Sequence, residues 1–324
     1  MAPLRPDVLV IGAGVSGLTT AVLLAEGGRA VRIVARDQPH RSTSANAGAI
    51  WDPIYADHPD VPRWSAESYG VLSRLSGMTG TGVRMVDGVE ASRIPMASPR
   101  WAHSLPGYRE AGPADLPAGF TSGWRYTAPV IDMPTYLRYL AGRLTAAGGT
   151  IELGLVTSLA HVADWAPIVV NCTGIGAREL VPDPAVDPVR GQLVAVRNPG
   201  IKEFFAEHTG ALTDEPEITY ILPQNENVVL LGGSAEDGND SIKPDQNVAD
   251  GIIRRCAAVV PALAEAEVLG HRIGIRPNRD PVRVELEELD GTQVVHNYGH
   301  GGAGVSLSWG CAADIAAMLR VPPT

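Results

Sequence analysis

The segment Asp7 to Asp37, DVLVIGAGVSGLTTAVLLAEGGRAVRIVARD, constrains this chain more than any other. The apolar run Val8, Leu9, Val10 and Ile11 leads into Gly12-Ala13-Gly14-Val15-Ser16-Gly17. Leu18 to Ala25 then places apolar residues at helical spacing before Gly27-Gly28, and Val31 to Ala35 forms a second apolar run. Strand, glycine turn, helix and strand in that order make a βαβ unit with a dinucleotide site at its first turn. Gly12 permits the turn, Gly14 lets a pyrophosphate approach the backbone, and Gly17 lets helix and strand pack closely. Phosphates then meet the free N–H groups at the helix start.

The acidic residue that would hold a ribose hydroxyl after the second strand is missing, and Ala35-Arg36-Asp37 stands there instead. Arg36 could accept a 2′-phosphate, which points to NADP. It could equally lie against an adenosine or be a solvated charge.

A chain of 324 residues is long enough for two domains. Its net charge of −10 disfavours a nucleic-acid partner. Lys202 and Lys243, the only lysines, stand in polar surroundings and are poor Schiff-base candidates. Cys172, Cys256 and Cys311 are odd in number and far apart, which suggests buried reduced thiols rather than a disulfide framework or a metal site. No apolar run approaches the ~20 residues of a membrane span. Neither a signal peptide nor a peroxisomal address is recognisable, so a cytoplasmic protein with no membrane partner is expected.

Gln38 to Trp51 is rich in small and hydroxylic residues, as a cofactor-lining loop would be. Between Pro53 and Pro134 prolines recur, and the runs Val83–Val86 and Trp124–Ala128 suggest a separate, largely antiparallel region. Helices are predicted over Met133–Ala147, Asn247–Val260 and Val305–Leu319. Strands are predicted over Ile151–Val156, Ile168–Asn171, Leu193–Val196, Gly270–Arg276, Val282–Leu286 and Val294–His296, with Ile218–Leu222 pairing Val228–Leu231. The second glycine-rich loop, Asn297 to Gly304, also lies between a strand and a helix. This arrangement predicts an α/β protein with a Rossmann-like nucleotide domain assembled from residues 1–52, 133–190 and 270–324. An α+β substrate domain, residues 53–132 and 191–269, is interleaved with it.

Several stretches together resemble the D-amino-acid oxidase family of flavoenzymes. They are Val8 to Gly17, Ala35-Arg36-Asp37, Ala47 to Pro53, Asn171 to Gly174, Arg190-Gly191-Gln192, Tyr220 to Pro223 with Gly232-Gly233, Gly274 to Pro277 with Arg283, and His296 to Gly310. The resemblance implies FAD rather than NADP, and oxidative deamination of D-amino acids with O₂ by hydride transfer from the substrate Cα to flavin N5. It implies cofactor contacts from Gly12, Ala13, Gly14, Val15, Ser16, Gly17, Arg36, Asp37, Ser44, Ala47, Gly48, Ala49, Thr173, Gly301, Gly302, Gly304, Val305 and Ser306.

For the substrate, Arg276 is the expected carboxylate clamp, since a guanidinium binds both oxygens and stays charged. Tyr220 would donate its hydroxyl to the same carboxylate, and the Gly302 carbonyl would take the amine. Ile50, Asp52 and Ile54 would shape the side-chain pocket. Ser306 would bond the flavin pyrimidine edge, with helix capping as its alternative role. His300 is expected as a loop residue whose imidazole is hydrogen-bonded to structure, and no general base is assigned. Neutral D-amino acids are the expected substrates, because no extra cation for a D-aspartate side chain stands out. A glycine or sarcosine oxidase and a non-catalytic flavin module are the other readings, and the chain is expected as a monomer or homodimer. The second lid tyrosine frequent in the family has no counterpart in Asp214 to Thr219.

Overall fold

The structure, a computed structural model, describes residues 5–54, 56–209, 217–289 and 291–319. Asp214 to Pro216 of the Asp214–Thr219 stretch and the Val-Pro-Pro-Thr terminus lie outside these residues.

The chain opens as predicted, with β1 (Val8–Ile11), α1 (Val15–Glu26) and β2 (Val31–Ala35), β1 and β2 being parallel. The first turn is as tight as its glycines require. A Cβ on Gly17 would stand 2.0 Å from the Gly12 carbonyl oxygen, and one on Gly12 would stand 2.4 Å from that of Cys172.

After β3 (Ala49–Ile50) comes a helix that the sequence pattern did not reveal, α2 (Val61–Ser76). It buries Val61, Trp64, Ser65, Ser68, Leu72 and Leu75, which lie along one helical face. Pro62 falls in its first turn, where the missing N–H is harmless. The expected antiparallel region is built from β4 (Val83–Ser92), the short β5 (Arg109–Glu110) and β6 (Ser122–Ile131).

Next, α3 (Met133–Ala146) leads to β7 (Thr150–Leu153), shorter than predicted, and a short helix α4 (Leu159–Val162) leads to β8 (Ile168–Asn171). A second short helix, α5 (Ala177–Leu180), precedes β9 (Asp187–Arg197) and β10 (Phe204–Glu207). The hairpin of β11 (Glu217–Pro223) and β12 (Val228–Ser234) is antiparallel as expected and is followed by β13 (Glu236–Asp237). Asp245 caps α6 (Gln246–Val259) by accepting from the N–H groups of Asn247 and Val248.

The two strands expected between Gly270 and Leu286 are one, β14 (Val268–Leu289), with an irregularity between Asn278 and Arg283, where the two expected strands were separated. Last come β15 (Thr292–His300) and α7 (Gly304–Met318).

Among the described residues the strands form one 15-stranded sheet in the order β3-β6-β4-β10-β11-β12-β9-β14-β15-β8-β1-β2-β7, with β5 beside β6 and β13 beside β9. One end, β15-β8-β1-β2-β7, is parallel. Toward the other end pairing is antiparallel except for β10 with β4. α1 and α7 pack together, and their apolar residues join those of α2 and α3 in the largest core cluster. The three cysteines are free and buried. No described helix is long and apolar enough to cross a membrane.

Candidate active site

A cavity of about 650 Å³ runs from the first glycine turn across the sheet to β10 and β11, within the size range of small-molecule sites. From the cofactor set read in the sequence, Gly12 to Ser16, Arg36, Asp37, Ser44, Ala47, Gly48, Thr173, Gly301, Gly302, Gly304 and Val305 line it. Ser44 ties its loop to the helix start by accepting from the Val15 N–H at 3.0 Å. Arg36 stays largely exposed and pairs with Asp37 at 2.8 Å.

The wall fits a dinucleotide in two respects. The turn at Gly12 to Gly17 is too close to its neighbours to carry side chains at Gly12 or Gly17. Asn297 and His300, both on the wall, keep buried polar atoms, Oδ1 and Nε2, without a hydrogen-bond partner among the described residues.

The remaining residues singled out in the sequence stand away from the main wall or differ from it in detail. Gly17 and Ala49 do not line the cavity; Gly17 acts beneath the turn. Ser306, in the first turn of α7, is buried, and its hydroxyl accepts the Asp52 N–H at 2.9 Å. It orders the loop that carries Asp52. Ile54 faces a second recess beside Arg279 and Gly299, leaving Ile50 and Asp52 on the main wall. The His300 imidazole leaves Nε2 unbonded, and burial alone pushes its pKa down to about 4, so it is neutral near pH 7.

Tyr220 and Arg276 come together from β11 and β14, which are separated in the sheet by β12 and β9. Both lie over glycines. The Tyr220 ring covers Gly232, where a Cβ would stand 2.0 Å from Cζ, and its edge meets Gly48, where a Cβ would stand 3.0 Å from Cε2. The Arg276 guanidinium covers Gly191, where a Cβ would stand 2.5 Å from Nη1. Nη1 donates to the Ser234 carbonyl oxygen at 3.0 Å, and no described carboxylate forms an ion pair with this arginine. Burial raises the Tyr220 pKa, while the adjacent guanidinium opposes the shift, so the phenol keeps its proton as a donor.

Beyond Tyr220 lies a polar group that the sequence did not disclose. Asp52, Glu90 and His208 bring side-chain ligand atoms within 4.8 Å of one another. His208 Nε2 is 2.8 Å from a Glu90 oxygen, and the Tyr126 hydroxyl donates to the other. Burial, then the Glu90 charge, push the Asp52 carboxyl up to about 7 against the opposing effects of His208 and the Ile54 N–H. Burial disfavours charge on His208, but Glu90 and Asp52 more than offset it and raise its pKa. A lone acid in the buried run Val89-Glu90-Ala91 was the one available sequence signal.

Comparison with known proteins adds an independent line. A family model described as FAD dependent oxidoreductase matches residues 7–318. A D-amino-acid oxidase of Streptomyces coelicolor is 51% identical over 316 residues, covering 96% of each chain. One of Rubrobacter xylanophilus is 47% identical over 314 residues, covering 96% of this chain and 94% of that protein. Among solved structures, glycine oxidase from Geobacillus kaustophilus superposes with a TM-score of 0.81 at 20% identity, covering 99% of this chain and 96% of that one, a likeness of fold.

Proposed function

Because this chain belongs to the FAD-dependent oxidoreductase family, we propose that its reaction is the oxidative deamination of D-amino acids. The balance is D-amino acid, O₂ and water giving 2-oxo acid, ammonia and hydrogen peroxide. When bound, FAD accepts the two electrons of the substrate Cα–H bond and returns them to O₂.

The protein's own residues have to bind, orient and exclude water. Arg276 and Tyr220 hold the substrate carboxylate, the guanidinium by charge and paired N–H donors and the phenol by one further donor. The Gly302 carbonyl accepts from the amino group. With Ile50 and Asp52 bounding the side chain, three points fix the face that the Cα–H presents, and an L-amino acid held by the same clamp turns that bond away. Gly12 to Ser16, Arg36, Asp37, Ser44, Ala47, Gly48, Thr173, Gly301, Gly304 and Val305 would hold FAD. Residues 1–52, 133–190 and 270–324 form its domain, and 53–132 and 191–269 the substrate domain. Three buried free thiols suit a reducing cytoplasm.

The observation that carries this reading is the seating of Tyr220 and Arg276 over glycines on the wall of a glycine-looped cavity. A carboxylate clamp has no use in a protein that only stores a cofactor. The test is to record the visible spectrum of the purified protein and add D-alanine without oxygen. Bleaching by D-alanine and not L-alanine, reversed by air with release of peroxide, is the expected result. A yellow protein that no D-amino acid bleaches would refute it.

A further inference from the structure

We propose that the far end of this cavity selects D-amino acids whose side chains end in a cation, an ammonium or guanidinium carried on three or four carbons, with Asp52 as the group that meets it. This rests on the carboxylate clamp proposed above, and it goes beyond the neutral substrates expected from the sequence.

The argument begins with strand register. Tyr220 on β11 stands opposite Ala206 on β10, and Ala206 stands opposite Glu90 on β4. Residues directly opposed across strands share a face of the sheet, and two strand spacings put Glu90 about 10 Å from Tyr220. Between them Ala206 contributes only a methyl group to the wall. A substrate held by its carboxylate at Tyr220 can therefore run its side chain over Ala206. A staggered chain of four carbons reaches about 5 to 6 Å beyond Cα, which brings its terminal nitrogen to the Asp52, Glu90 and His208 group.

Charge then decides which terminus suits. Glu207, also on this wall, is already paired with Arg93 at 2.7 Å. Glu90 is fully buried and has the His208 imidazole at 2.8 Å together with the Tyr126 hydroxyl. Two carboxylates thus face one imidazole, and Asp52 is the carboxylate left over. Its Oδ1 accepts the Ile54 N–H at 3.1 Å, while among the described residues Oδ2 has no partner. A desolvated carboxylate that must share its one countercharge, His208, with Glu90 is costly, and a cation arriving on the substrate offsets that cost. An acidic side chain would add a third negative group, and an apolar one would leave Asp52 uncompensated.

The experiment compares kcat/KM of the FAD-loaded enzyme for D-lysine with that for D-norleucine, which has the same carbon chain without the ammonium, and repeats the comparison for Asp52→Asn. The wild-type protein should favour D-lysine about tenfold or more, and the substitution should cut that ratio about tenfold, mainly through KM for D-lysine. A wild-type preference for D-norleucine would overturn the proposal without recourse to any variant, as would an unchanged ratio in a flavin-loaded Asp52→Asn protein. Failure to oxidise D-lysine, D-norleucine and D-alanine alike would instead refute the D-amino acid oxidation on which it rests.

Discussion

Replacing Gly191 by alanine should uncouple catalysis from folding. The added methyl would stand 2.5 Å from Nη1, 2.6 Å from Cζ and 2.7 Å from Nη2 of Arg276. Ordinary contact between such atoms begins near 3.5 Å, so the guanidinium must retreat by roughly 1 Å. It can do so, because it is the far end of a flexible side chain. The cost to stability is therefore at the lower end of the ~1–3 kcal/mol typical of overpacking. The cost to the reaction is larger, since a misplacement of about 1 Å in a positioning group can lower the rate by ~10²-fold. Purified Gly191→Ala should retain its flavin spectrum and lose only a few degrees of Tm, while kcat/KM for a D-amino acid falls about a hundredfold. A flavin-loaded variant with kcat/KM within twofold of wild type would refute the idea that bare backbone at this position sets the clamp.

Other substitutions probe other parts of the site. Tyr220→Phe removes one donor and should lower kcat/KM by ~10-fold, in line with about 1.5 kcal/mol for a hydrogen bond to a charged partner, as read by steady-state kinetics. Gly17→Ala drives a methyl to 2.0 Å from a backbone oxygen that cannot move aside, so the product should be insoluble or free of flavin by its visible spectrum. Asp52 has its folded-state pKa raised from 3.8 to about 7, so the stability of its neutral form is present below pH 4 and is lost as pH rises through 7. Asp52→Asn should therefore raise Tm relative to wild type by more at pH 8.5 than at pH 5, by roughly 2 °C or more in thermal melts. Burial pushes the Cys172 and Cys256 thiols up to about 12 and raises that of Cys311 as well, so a thiol reagent should label none of the three until denaturant is added.

What could be read from the sequence was local. The first βαβ unit is legible because its signals are adjacent in the chain: an apolar run, three glycines and a helical period. β14 was read as two strands because Pro277-Asn278-Arg279-Asp280-Pro281 has the composition of a turn, whereas the strand continues through it with a shifted register. α2 escaped notice because proline opens it and its outward face is polar. Tyr220 and Arg276 could be singled out only through resemblance, since nothing near either residue indicates that β12 and β9 bring them together. The bond that Ser306 accepts from the Asp52 N–H could not be foreseen, because a hydroxyl near a helix start does not reveal which side of the helix it leaves from. Glu90 and His208 were invisible for a related reason: their meeting with Asp52 depends on strands far apart in the chain, and strand order is not encoded in any one segment.

β14 carries a mechanical consequence. It pairs with β9 along the stretch that bears Arg276 and with β15 along the stretch that ends at His300, immediately before the second glycine turn. The arginine proposed as the substrate clamp and the turn proposed to border the cofactor are therefore mounted on a single hydrogen-bonded rail. Arg276 and His300 cannot move apart without unzipping a ladder. Alignment between donor and acceptor is inherited from backbone geometry before either arrives, and any traffic in and out falls to whatever borders the mouth of the cavity.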